Sequence, residues 1–239
     1  MTTFTIRFRA LLPMTNSEPV ENGQLVVEQG RIREISQDIS MPTEGELLDL
    51  SDCLILPGFV NAHCHLCLSI LKWRIPRRDR FTDWVRSMIE ENEMVDWENR
   101  MLALHAQAKV MVRSGVTALV DFIPHAKFVT EYARLPFRQT LLFEVLGFLP
   151  SLADHIAEDL ELILKQNLNE AGAIRFGLAP HAPYSISPKL FRKVKRLADK
   201  YKCPLSCHVA EFPEELQFLQ DGTGDMKDFL SERGVYDDG

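Results

Sequence analysis

No run of the sequence reaches the ~18 consecutive apolar residues that a bilayer-crossing helix requires, so no membrane partner is expected. Positive charge is in the minority: 27 Lys+Arg face 34 Asp+Glu, a net charge of −7. The densest basic stretch, Lys72 to Arg80, is short and broken by Trp and Pro. Phosphates demand clustered Lys and Arg, so no nucleic-acid partner is expected either. Cysteine is scarce and odd in number, with five residues (Cys53, Cys64, Cys67, Cys203 and Cys207) that mostly fall in apolar runs. That argues against a disulfide framework and for a reducing, cytoplasmic setting. The first residues, MTTFTIRFRALLPM, lack the apolar core of a signal peptide. There is no internal repeat and no low-complexity segment. What remains, 46% hydrophobic and 26% charged residues, is the balance of a folded globule rather than a disordered chain.

The hydrophobic rhythm divides the chain in two. Over residues 1–56, Phe4–Leu12 and Leu25–Ile35 show the two-residue alternation of half-exposed strands, with Glu28-Gln29-Gly30 suited to a tight turn, and Leu47–Leu56 gives another short strand. This predicts a small all-β segment ending near Pro57-Gly58. Over residues 57–239, almost wholly apolar strand candidates (Phe59–His65, Val116–Phe122, Thr140–Leu146, Ile174–Ala179 and Leu205–Val209) are separated by helical stretches. The predicted helices are Trp97–Ser114 with Gly115 to end it, Leu152–Leu168, and Pro188–Tyr201 with Ser187 as cap and Pro188 in the first turn. Alternating β and α units imply an α/β fold with a parallel sheet, either doubly wound or a (β/α)8 barrel with about five of its eight units present.

Three clusters carry possible chemistry. His63 and His65 are two apart on a strand, so both rings leave one face with Cα atoms roughly 6.6 Å apart, and Cys64 points the other way. Such a pair can share one metal at roughly 2.1 Å per bond, or serve as ordinary hydrogen-bonding residues at a strand end. His208 and Glu211 close the fifth strand candidate. Glu211 joins His208 only if the strand stops by about Ala210 and the chain turns, for which Pro213 offers a reason. The competing reading makes Glu211 an acidic residue favoured by a helix dipole. His181 lies in Ala179-Pro180-His181-Ala182-Pro183-Tyr184, a proline-fixed loop after the fourth strand candidate, where it can contact substrate or brace backbone. Secondary candidates are Glu144, inside an apolar strand and either facing a pocket or pairing with Arg138, and Asp121, a helix cap. The long connection Leu66–Asp96 is read as a lid whose Trp84 could stack on an aromatic substrate, with a helix start near Thr82-Asp83.

Taken together, LPGFVNAHCH (56–65), SGVTALVD (114–121), APHAPYS (179–185) and CHVAEFPEE (207–215) resemble the amidohydrolase superfamily, in particular its cytosine-, guanine- and adenosine-type deaminase and chlorohydrolase branch. The resemblance implies a (β/α)8 barrel with a flanking β-sandwich, and His63, His65 and His208 as ligands of one divalent metal, with zinc first and iron or manganese as substitutes. It makes Glu211 the proton-shuttling catalytic residue and His181 a substrate contact. Trp84 followed nine residues later by Glu93 is similar to adenosine-type deaminases, where a glutamate at this place binds substrate hydroxyls; Glu93 also fits a solvated helix face. The implied reaction is hydrolytic deamination of an amino-substituted nitrogen heterocycle. Dechlorination of a similar ring and a non-catalytic metal-binding fragment are the rivals. The resemblance also calls for a histidine on strand six and a metal-binding aspartate on strand eight, which 239 residues do not reach. The chain is therefore expected to be part of a longer hydrolase, with open sheet edges that favour homo-oligomers.

Overall fold

A computed structural model describes residues 3–15, 17–40, 42–169 and 173–236. The chain divides into two compact units, residues 1–58 and 59–239. In the first, β1 (Thr3–Leu11), β2 (Val20–Glu28), β3 (Arg31–Ser36) and β4 (Glu46–Ile55) form one four-stranded sheet in the order β3-β2-β1-β4. β1 runs antiparallel to β2 and parallel to β4. The β2–β3 hairpin turns through Gln29 (φ 52°) and Gly30 (φ 74°), two left-handed residues that match the strand twist. Phe8, Leu11 and Leu25 form the small core of this unit.

The second unit is built on a parallel sheet in the order β5-β6-β7-β8, comprising β5 (Phe59–Cys64), β6 (Val116–Ile123), β7 (Arg138–Val145) and β8 (Arg175–Pro180). The connections carry α1 (Phe81–Glu93), α2 (Trp97–Arg113), α3 (Val129–Tyr132), α4 (Ala153–Asn169) and α5 (Pro188–Tyr201), followed by α6 (Pro213–Asp221) and α7 (Asp225–Glu232). Local chemistry sets their ends. The Asp96 side chain accepts from the Asn99 N–H to open α2, and Ser187 accepts from the Leu190 N–H to open α5, with Pro188 in its first turn.

The strands alternate between two layers. Leu119 and Ile123 of β6, Leu141, Phe143 and Val145 of β7, and Phe176 and Leu178 of β8 join the main core with the inner faces of α2, α4 and α5. The opposite face carries a thin apolar layer of Phe122, Leu142 and Ala179. Gly177 allows that layer to close: a Cβ there would meet Leu142 Cδ2 at 2.5 Å and the Pro204 carbonyl oxygen at 2.6 Å.

One expectation needs correction. Leu205–Val209 is not a regular strand but joins the sheet through one parallel bridge, Leu178 to Leu205. Backbone bonds from Ser206 N–H to Leu178 O and from His208 N–H to His181 O keep it extended beside β8. The connection Leu66–Asp96 holds the helix expected near Thr82-Asp83: a 3-10 turn over Leu66–Leu71 precedes the 13-residue α1, which starts at Phe81. α1 packs with α6 and α7 in a second apolar cluster in which Phe81, Val85 and Ile89 meet Tyr184, Phe212, Phe218 and Phe229.

Candidate metal centre

Every candidate ligand sits at the carboxyl end of the parallel sheet, where the strands give way to loops. Between Asn61 and Cys64, β5 spends one more residue than β6 does between Leu119 and Asp121. This bulge re-aims the strand end, and the His63 N–H turns back onto Asn61 Oδ1 at 3.2 Å. The rings of His63 and His65 emerge with centroids 5.3 Å apart. At the other edge, Ala210 adopts a left-handed backbone (φ 58°) that ends the extended segment carrying His208. Pro213 then opens α6, and Glu215 in its first turn accepts the Glu211 N–H at 2.9 Å.

These devices bring chemically active groups together. The His208 centroid lies 4.9 Å from His63, 5.5 Å from His65 and 5.2 Å from His181. Phe122, 1% exposed, forms the floor, with its ring 4.5 Å from His63, 5.0 Å from His65 and 5.2 Å from His208. Glu144 is on this inner face: its Oε1 lies 3.7 Å from His208 Nε2. Arg138, six residues back along β7, is roughly 20 Å away by strand rise, so the alternative pairing does not form. Glu211 Oε1 lies 3.6 Å from His208 Nδ1. His181 Nδ1 contacts Ser185 Oγ at 2.7 Å, and that hydroxyl also donates to Ala182 O. With the hydroxyl proton so committed, Nδ1 carries the ring proton of His181.

The electrostatics favour the neutral form of two imidazoles, His65 and His181, and the charged form of His208 beside an anionic Glu144. Burial, followed by the neighbouring imidazoles and against the pull of Glu144, drives His65 down to about 4. His181 is lowered chiefly by burial. His208 is raised, first by its interaction with Glu144. Burial works to raise Glu144, but His208, His181 and His65 together hold it below the ordinary carboxylate value.

The donor geometry suits a metal ion. One donor nitrogen from each of His63, His65 and His208 lies within 4.8 Å of the others; Glu144, His181 and His208 form a second such trio. Tetrahedral donors at ~2.1 Å are roughly 3.4 Å apart, a spacing that lies inside the 4.8 Å bound on the first trio. Cys64 is not among these donors: its Sγ donates to Asp121 Oδ2 on the far side of β5. Asp121 caps the turn at Leu66, whose N–H it accepts, rather than the helix after its own strand. Its buried carboxyl is pushed up to about 7, chiefly by burial.

Trp84 and Glu93 are both exposed on α1. Trp84 stacks on Phe81, whose ring in turn lies on Phe212, the residue after Glu211. Nine residues of helix put Trp84 and Glu93 on opposite faces, and among the described residues no hydrogen bond or ring contact joins either to the histidines. Phe122, Ser185 and Glu215 escape sequence reasoning. Only Glu215 had a legible signal, an acid two residues after a helix-opening proline.

The amidohydrolase family model matches residues 54–237, a span that includes every residue of this cluster. The chain belongs to the amidohydrolase family. Among curated relatives, this amidohydrolase is similar to a 5'-deoxyadenosine deaminase of Methanosphaera stadtmanae, with 26% identity over 85% of this chain and 49% of the relative. It is also similar to a 5-methylthioadenosine/S-adenosylhomocysteine deaminase of Desulfitobacterium hafniense, with 27% identity over 97% of this chain and 55% of the relative. Among solved structures, Helicobacter pylori aminofutalosine deaminase in complex with methylthio-coformycin superposes with a TM-score of 0.82 (24% identity, 95% of this chain, 56% of that one). The atrazine chlorohydrolase of Arthrobacter aurescens TC1 complexed with zinc gives 0.72 (16% identity, 97% and 58%). The amidohydrolase thus spans about half the length of the curated relatives it matches.

Proposed function

We propose that this chain carries the metal-binding half of a hydrolytic deaminase that acts on an adenosine-like nucleoside. His63, His65 and His208 hold one divalent cation, zinc in preference to iron or manganese, because three imidazoles form a typical zinc donor set. The observation that carries the reading is the convergence of these three rings, from two edges of the sheet, on one aromatic floor. When bound, the cation supplies Lewis-acid activation of water, lowering its pKa toward ~7. Glu211, next to His208 and held by Glu215, accepts the water proton and delivers it to a ring nitrogen of the base. The oxygen adds to the amine-bearing carbon, Glu211 carries the remaining hydroxyl proton to the amine, and the C–N bond breaks to release ammonia as the C=O bond forms. His181, with Nδ1 fixed by Ser185, turns Nε2 toward the ring edge, where charge develops. Glu144 accepts from the exocyclic or ring N–H groups. Trp84 and Glu93 face opposite sides of α1, so the two do not share one substrate contact, and Trp84 is already stacked on Phe81.

The substrate class rests on the deoxyadenosine and methylthioadenosine deaminases among the relatives. Hydrolytic dechlorination of a similar ring, or metal binding without turnover, is the alternative. No helix among the described residues is long and apolar enough to cross a membrane. The five free cysteines agree with a cytoplasmic location, and the only partners expected are a small heterocycle and other copies of this chain. Metal content and ammonia release across a panel of aminopurines and nucleosides test the reading. Replacing His63 and His65 with Ala is expected to abolish stoichiometric metal, and unchanged metal by elemental analysis would refute the assignment. In any version that turns over, Glu211→Gln is expected to keep the metal and lose ammonia release.

A further inference from the structure

We propose that Asp121 is a positioning residue that sets the direction of the His63–His65 pair, an inference that rests on the reading of these histidines as metal donors. On β6 the side chains alternate, with Phe122 under the imidazoles while Leu119, Asp121 and Ile123 face the helix-side core. Cys64, between the two histidines, points to the same side as Asp121, and its thiol donates to Oδ2 at 3.3 Å. The Leu66 N–H is shared between Oδ1 at 3.3 Å and Oδ2 at 3.2 Å. One carboxyl therefore grips the residue before and the residue after His65.

The grip falls where regular pairing fails. The register between β5 and β6 slips by one residue between Asn61 and Cys64, so ladder hydrogen bonds do not hold this strand end on their own. Asp121 is fully buried, and no Lys or Arg pairs with it among the described residues. A buried carboxyl without a cation is costly, and an apolar residue here would extend the core of Leu119 and Ile123. Stability alone therefore does not account for a carboxyl at this position, whereas orientation of the strand end does. Groups behind metal-binding histidines fix ring orientation, and their loss typically weakens metal affinity ~10–100-fold.

The test uses the full 239-residue chain with Co(II) as the probe, because its visible bands report ligand geometry. The wild type is expected to bind one Co(II). Asp121→Asn keeps the shape but cannot accept from the thiol and the N–H with two oxygens. It is expected to weaken Co(II) binding about tenfold and to change the band pattern, with Asp121→Ala nearer the hundredfold end. A merely structural role would lower the folded fraction seen by circular dichroism and leave the bands of that fraction unchanged. Asp121→Asn with wild-type affinity and superimposable bands would overturn the proposal, whether or not the Ala variant folds. A wild type that binds no Co(II) would overturn the metal reading and this inference with it.

Discussion

Replacing Phe122 with Ala should cost this protein both stability and metal binding, because one ring serves as both core and floor. The side chain is 1% exposed and packs beside Leu142 and Ala179 on one face of the sheet and under three imidazoles. Burial of a phenyl ring of ~150–200 Å² at about 25 cal/mol per Å² gives roughly 4–5 kcal/mol, in line with the 3–5 kcal/mol typical of Phe→Ala. In a unit of this size each kcal/mol moves the melting temperature by roughly 2–4 °C, so a fall of about 10 °C is expected. The assay is direct, since Trp73, Trp84 and Trp97, the only tryptophans, all lie in the second unit and report its unfolding by fluorescence. Phe122→Leu, which refills much of the space, should cost less than half as much and still weaken metal binding by removing the flat support under the rings. A loss below ~1 kcal/mol for Phe122→Ala would show that the ring is not the floor described here.

Two further outcomes follow from the same geometry. Burial pushes the Asp121 carboxyl from an ordinary 3.8 up to about 7, so the folded chain keeps a proton that the unfolded chain releases. The stability that this proton contributes is complete below about pH 4 and is lost as pH rises through about 7. The unfolding free energy of the wild type minus that of Asp121→Asn should therefore fall across that window, and a flat difference in urea titrations would refute the assignment. Gly177→Ala would drive a Cβ into Leu142 and the Pro204 carbonyl, and backbone there cannot yield cheaply. A loss of about 1–3 kcal/mol is expected by thermal denaturation, and an unchanged midpoint would contradict the close approach.

Much of this was legible in the amino-acid order because local rules and packing agreed. α5 runs Pro188–Tyr201, and it begins where its Ser187 cap and first-turn proline predict. The left turn at Ala210 was anticipated only through Pro213, because an alanine gives no hint of positive φ. Leu205–Val209 has the apolar composition of a strand, but only Leu205 completes a bridge, and composition does not reveal how many partners a strand will find. α1 was harder to read, since its exposed face is strongly charged and its apolar side meets α6 and α7 more than a hundred residues away. Asp121 read as a cap because Asp often caps. That it caps a turn 55 residues earlier is a tertiary fact. Phe122 could not be singled out, because one apolar residue in an apolar strand looks like any other until the rings above it are placed.

The most direct test is a crystal of the zinc-loaded chain with anomalous data collected on either side of the zinc absorption edge. One anomalous peak bonded to nitrogens of His63, His65 and His208 is the expected result. A peak bound elsewhere, or one ligated by the 63/65 pair with the imidazole of His208 turned away, would contradict the account.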